Sequence, residues 1–243
     1  DPSYFAVTRF SIGKSDGITA VSDYLKRETI ERFDVAPDRI EVIPNFVDLT
    51  KYRRDIEPCH RKRFATEDEK VVMHISNFRS VKRVTDVVRI FARVARERPA
   101  RLVFIGDGPE RGSTVQMAKD EGVEDRVVFL GKQDSVAEIL ACADLFLLPS
   151  DSEAFGLVAL EAMACGVPVV GSRVGGLPEV VTGATGRLEP VGDVDAMADA
   201  ALTLLEDDHW PEASAAARER AKVFDAEVVV PRYEAYYERI LNG

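Results

Sequence analysis

One stretch, Leu145 to Glu179, limits most sharply what this chain can fold into. It opens with four consecutive apolar residues, Leu145-Phe146-Leu147-Leu148, halted by Pro149. So short an unbroken run reads as a parallel strand buried on both faces. Ser150-Asp151-Ser152 are turn and capping residues. Phe155 to Ala164 is then a run of good helix formers, closed by Gly166 and Pro168. Val167 to Val170 is the next buried strand. The order strand, loop, helix, strand places a helix N-terminus just beyond a strand's carboxyl end, which is a ready anion site.

The same alternation runs back to residue 70. Val71 to Ile75 reads as a strand, and Val84, Val87, Val88, Phe91, Val94 and Ala95 fall at helical spacing. Leu102 to Ile105 and Val127 to Gly131 are further strands, with helices expected over 110–121 and 135–143. A short helix over 177–181 and a short strand over 186–188 follow. The expectation is an α/β fold with a doubly wound, Rossmann-like parallel sheet whose ligands lie outside the carboxyl ends of its strands.

The two ends differ. In residues 1–47 a short amphipathic helix, a strand over 17–22, a helix over 23–33 and a strand over 39–43 give too few strands for a core, so this piece needs partners. The other end reads as three helices, from Asp193, Trp210 and Ala226. The last carries a stripe of Val229, Tyr233, Tyr236, Tyr237 and Ile240 with no obvious place on a sheet already covered.

Composition excludes some functions. A net charge of −10 argues against a general nucleic-acid binder, though a local basic pocket is compatible with it. No apolar run nears the roughly 18 residues of a spanning helix, and no signal-peptide pattern is visible. Cys59, Cys142 and Cys165 are odd in number and far apart, and read as reduced thiols of a cytoplasmic protein. The first residue is Asp1, not Met, which suggests a processed or truncated piece.

Two groups of residues carry chemistry. Glu153 and Glu161 either flank one cleft or are two solvated acids. Glu161 sits among Leu160, Ala162 and Met163, where an acid needs a partner because unpaired buried charge is costly. At the end of the first sheet strand, Ser76-Asn77-Phe78-Arg79-Ser80-Val81-Lys82-Arg83 sets three cations at a helix start, where they oppose the helix dipole. A bound anion shared with the helix explains them better than a plain basic turn. Other features are discounted. Gly106-Asp107-Gly108-Pro109 lacks the third glycine of a dinucleotide loop. Asp193 and Asp195 read as a helix cap, not a metal pair. His60, His74 and His209 lack metal spacing.

Glu153-x7-Glu161 within its apolar helix resembles the signature of retaining glycosyltransferases of family four. Gly175-Gly176-Leu177-Pro178-Glu179, Val42-Ile43-Pro44-Asn45 with Asp48, and Leu102 to Pro109 match the same family in order. The resemblance implies the GT-B architecture, with residues 1–47 a remnant of the N-terminal acceptor domain. It makes 48–225 the nucleotide-sugar-binding domain and 226–243 a helix crossing back to the first domain. It further implies that Glu161 binds the nucleotide ribose and Glu153 the donor sugar. The N–H groups of Phe155, Gly156 and Leu157 would hold the diphosphate, and Lys82 the phosphate charge. Where the family has Gly-Arg this chain has Ser76-Asn77, so Arg79 is expected to take over the phosphate role, with Asn77 beside it. Arg79, Lys82 and Glu153 are the expected catalytic residues.

The Ser76 to Arg83 pattern and Phe46 resemble the family's bacillithiol-pathway branch, which joins N-acetylglucosamine from UDP-GlcNAc to L-malate. Its reaction implies no cofactor and no metal. Arg9 is the weak candidate for an acidic acceptor, a structural salt bridge being its alternative. Rival readings are a family member with an inositol phosphate, lipid or sugar acceptor, a UDP-GlcNAc 2-epimerase, and a donor-binding fragment without catalysis. Homo-oligomer formation stays open.

Overall fold

Four strand residues in sequence, Leu145 to Leu148, are completely buried. Leu145 and Leu147 face one side of a sheet, and Phe146 and Leu148 the other. Period-two alternation delivers apolar side chains to both faces, so both must be covered by helices. The computed structural model describes residues 4–56 and 61–242; Cys59 and His60 lie outside them.

The sheet has six parallel strands: β3 (Lys70–Ile75), β4 (Ala100–Ile105), β5 (Val127–Phe129), β6 (Leu145–Leu148), β7 (Val169–Ser172) and β8 (Gly186–Glu189). Their order is β5-β4-β3-β6-β7-β8. One face packs under α3 (Val84–Glu97), α4 (Arg111–Asp120) and α8 (Val194–Leu204). The other packs under α5 (Ala137–Leu140), α6 (Leu157–Ala164) and α9 (Trp210–Ala221). All six α3 positions picked out by helical spacing are buried. The order reverses between β3 and β6, so the loops leaving these two neighbours diverge and open a crevice at their carboxyl ends.

Element ends depart from the sequence reading in two instructive places. The helix expected from Phe155 begins at Leu157, because Gly156 has φ of +94° and a helix cannot run through that conformation. The strand expected over 127–131 stops at Phe129 and is only partly buried, as suits an edge strand.

Residues 5–42 form α1 (Phe5–Lys14), β1 (Ile18–Ala20), α2 (Asp23–Phe33) and β2 (Ile40–Val42), with β1 and β2 paired in parallel. This small pair is roofed by α10 (Ala226–Asn242), in which Val229, Tyr233 and Tyr236 pack on Ile43. The Tyr236 hydroxyl donates to the Ile18 carbonyl at 3.1 Å, and the Tyr233 hydroxyl to that of Ile43 at 3.1 Å. Arg239 pairs with Glu41. Tyr237 does not share this burial and is 57% exposed. At about 100° per residue it points about 80° away from Val229, whereas Tyr236 falls within about 20°.

Two glycines in the turn after β4 let another loop approach. A Cβ at Gly106 would overlap the Ser76 carbonyl oxygen, one at Gly108 that of Asn77, and Gly106 has φ of +111°. Gly106→Ala should therefore lower unfolding free energy by about 2 kcal/mol or more. Gly112 in α4 has open space around it, so Gly112→Ala should raise stability by about 0.5 kcal/mol. Urea titrations of the two variants provide the measurement.

Candidate active site

The site grows from the two loops at the crevice. After β3, the buried His74 fixes the path of the chain. Its Nδ1 donates to the Leu147 carbonyl at 2.8 Å, leaving Nε2, 2.8 Å from the Ser76 hydroxyl, as an acceptor. The Ser76 oxygen in turn accepts the Phe78 N–H at 3.2 Å. Phe78 takes a positive φ of 40° and is completely buried against His74, Phe104 and Phe129. With Phe78 as the anchor, its neighbours Asn77 and Arg79 are both exposed. His74 is structural, as expected, but it builds the loop that presents the cations.

The three cations separate. Lys82 ends a 3-10 turn and places Nζ 2.6 Å from Glu153 Oε1. Both side chains are largely buried, 21% and 11% exposed, and the Ser150 hydroxyl adds a 2.8 Å bond to the same carboxylate oxygen. Arg83 instead pairs with buried Asp86 and with Asp151 at 3.0 Å. Its charge has protein partners, which corrects the expectation that all three cations await an anion. The Arg79 side chain has neither an ion pair nor a hydrogen bond among the described residues.

The loop after β6 is pinned from behind. Gly176 N–H donates to the Glu153 carbonyl at 2.9 Å, and a Cβ at Gly175 would overlap that carbonyl oxygen. Phe155 is buried edge-on against Phe224. Gly156 turns the chain into α6, and its own Cβ would collide with Leu177 at 2.5 Å. The N–H groups of Phe155, Gly156, Leu157 and Val158 have no protein acceptor among the described residues. They point their partial positive charge out of the start of a helix.

Glu161 lies farther along α6 and is half-buried. The partner its surroundings demanded is Tyr52. Burial raises the carboxyl above its ordinary range, opposed by the Tyr52 hydroxyl and by Lys51. Its own burial, and then the nearby Glu161 carboxylate, push the Tyr52 phenol upward. Tyr52 escaped sequence reasoning because no local pattern ties it to α6. Ser22 and Glu179, which brace the loop, carry no local sign in the sequence that they are neighbours.

The other candidates resolve simply. Arg9 lies on α1 and forms an exposed 3.9 Å pair with Asp34. Asp193 caps α8 through the Ala196 N–H at 3.0 Å. His209 pairs with Glu206 at 2.9 Å. Among the described residues no group of three or more His, Cys, Asp or Glu is arranged to hold a metal, and no helix is long and apolar enough to cross a membrane.

A doubly wound parallel sheet, with unengaged N–H groups at a helix start and the Lys82–Glu153 pair at its switch point, is the arrangement of a GT-B domain. The model of Glycosyl transferases group 1 matches residues 55–224, and that of Glycosyltransferase Family 4 matches residues 1–51. The chain belongs to this glycosyltransferase family. It is 48% identical to N-acetyl-alpha-D-glucosaminyl L-malate synthase of Bacillus anthracis, covering 100% of this chain and 64% of that protein. It is 33% identical to D-inositol 3-phosphate glycosyltransferase of Nocardia farcinica over 81% of this chain and 46% of the relative. The chain thus spans roughly half to two thirds of these relatives' length. Among solved structures, sucrose-phosphate synthase of Thermosynechococcus elongatus superposes with a TM-score of 0.86 at 26% identity, covering 100% of this chain and 62% of that one. Anabaena HepE in complex with UDP and glucose superposes with a TM-score of 0.84 at 25% identity, over 92% and 63%.

Burial of His74 lowers its pKa from 6.5 to about 4. Between these values the unfolded chain holds a proton that the folded chain refuses, so stability falls as pH drops through about 6.5 and levels off near 4. The loss should reach about 2–3 kcal/mol, and His74→Gln should flatten this slope in urea titrations at pH 7 and 4.5.

Proposed function

We propose that this chain carries the donor-binding half of a retaining glycosyltransferase that moves N-acetylglucosamine from UDP-GlcNAc to L-malate, a step of bacillithiol biosynthesis. The observation that carries the reading is the Lys82–Glu153 pair beside a row of unengaged N–H groups at the β3/β6 switch point. The 48% identical synthase supports the choice of donor and acceptor by its name. On this reading residues 1–47 belong to the acceptor domain, 48–225 to the donor domain, and 226–243 to the helix joining them. The buried thiol of Cys165 suits a reducing, cytoplasmic setting.

The chemistry follows from where charge grows. Breaking the bond between the sugar and the β-phosphate leaves negative charge on the diphosphate. Arg79 and Lys82 meet that charge, with the N–H groups of Phe155, Gly156 and Leu157 completing the cradle; Asn77 lies beside them. Preorganised donors in a water-poor cleft stabilise such charge by several kcal/mol. Lys82 enters the reaction already oriented by Glu153. The carboxylate then faces the sugar hydroxyls, while Glu161 accepts from the ribose. The acceptor hydroxyl attacks on the face the leaving group departs from, and its proton passes to the departing β-phosphate oxygen. On this reading Arg79 and Lys82 neutralise the diphosphate, and no cofactor is assigned. Arg9 is kept as the acceptor-side candidate on charge alone.

Acceptor-dependent UDP release tests this directly. Malate is expected to drive release where inositol phosphate does not, and the reverse would identify the second relative's chemistry. Lys82→Ala and Arg79→Ala should each lower turnover at least about tenfold, about 1.4 kcal/mol. Unchanged turnover in both removes the phosphate role. Glu161→Ala should weaken UDP binding in calorimetry, and equal affinity removes the ribose role.

A further inference from the structure

The loop that carries Glu153 is braced by residues for which the proposed chemistry has no direct use. Ser22 is the N-cap of α2, accepting the Leu25 N–H at 3.1 Å. Its hydroxyl proton is therefore free to go elsewhere, and it donates to the Ala154 carbonyl at 2.7 Å, across 132 residues of sequence. Glu179 closes the same contact from the donor side. Its two carboxylate oxygens accept the Asp23 and Tyr24 N–H groups at 2.9 and 2.8 Å. A carboxylate there satisfies two orphan donors of α2 and complements its dipole. The Glu179 backbone is itself held, since Arg220 donates to its carbonyl at 2.6 Å. Ser22 also touches Gly176 so closely that a Cβ there would sit 2.9 Å from the serine oxygen.

The consequence is geometric. The Ala154 carbonyl and the Phe155 N–H belong to one planar trans peptide and point in opposite directions. Fixing the carbonyl fixes the N–H. We propose that Ser22 and Glu179 are positioning residues: they lock α2 onto the loop after β6 and thereby aim the Phe155 N–H at the donor diphosphate. The first region of the chain then does more than lie beside the donor site, because rotating α2 turns a peptide of the phosphate cradle. The inference rests on the diphosphate role of the Phe155 N–H.

Calorimetry on the full chain with UDP and with uridine, which lacks the phosphates, separates the outcomes. Ser22→Ala should weaken UDP binding about tenfold, as expected for a misaimed charge-stabilising donor. Uridine affinity should stay near wild type while the melting temperature falls by a few degrees, as a lost helix cap requires, and Ser22→Thr, which keeps the hydroxyl, should restore both UDP binding and the melting temperature. Glu179→Gln should weaken UDP in the same selective way, and it carries the comparison if Ser22→Ala does not fold. Glu41→Gln is the control, because it breaks the Arg239 pair between α10 and β2 without touching the loop. UDP affinity unchanged in Ser22→Ala and Glu179→Gln overturns the inference, as does an equal loss in Glu41→Gln, which would indicate general docking. Failure of the wild-type chain to bind UDP overturns the donor-site reading itself, and the inference with it.

Discussion

The Lys82–Glu153 contact is the point on which the site turns. Two charges largely withdrawn from water cost several kcal/mol each in desolvation, and only close, hydrogen-bonded geometry repays that. Here the geometry is close, 2.6 Å, with Ser150 sharing the carboxylate oxygen. The pair can form only because the strand order makes β3 and β6 neighbours, so that loops 71 residues apart leave the sheet side by side. A second tie, the Asp151 N–H to the Val81 carbonyl at 2.8 Å, keeps the loops in register. A ligand entering this crevice does not have to order either side chain, and a polyanion can share Lys82 with Glu153 without leaving a bare buried charge.

What surrounds the pair is mostly backbone held by close packing. Gly106 and Gly108 admit the loop after β3, and Gly175 and Gly176 admit the loop after β6. Each is a place where a side chain would displace a carbonyl, so the crevice is shaped by what is missing at these positions. Phe78 and Phe155 act in the opposite sense, sinking into the core, and beside Phe78 both Asn77 and Arg79 are left exposed. The first region joins this arrangement through α2 and through α10, whose tyrosines reach backbone carbonyls at both Ile18 and Ile43.

The sheet was legible because a strand buried on both faces has to be apolar throughout, and Leu145 to Leu148 is. So was α3, whose valines repeat at the helical period. The spacing of Glu153 and Glu161 and the place of Lys82 near a strand end can be read from the chain as well. The partners cannot. Nothing local to Glu161 names Tyr52, and nothing in Ser76 to Arg83 says that Arg83 is spoken for by Asp86 and Asp151 while Arg79 has no partner among the described residues. Those assignments depend on three-dimensional neighbours, as does the burial of Tyr236 in preference to Tyr237. The start of α6 was misplaced by two residues because the helix formers continue through Phe155, and only the backbone shows that Gly156 adopts a positive φ.

The central claim is that the crevice between the loops after β3 and β6 holds a nucleotide diphosphate. Titrating isotope-labelled protein with UDP while following backbone amide resonances tests it most directly. The account expects the largest shifts at Phe155, Gly156, Leu157 and Val158, with smaller ones from Asn77 to Lys82. Saturable binding that leaves these amides unmoved, with shifts instead at the opposite edge of the sheet around Lys70 and Ala100, would contradict it.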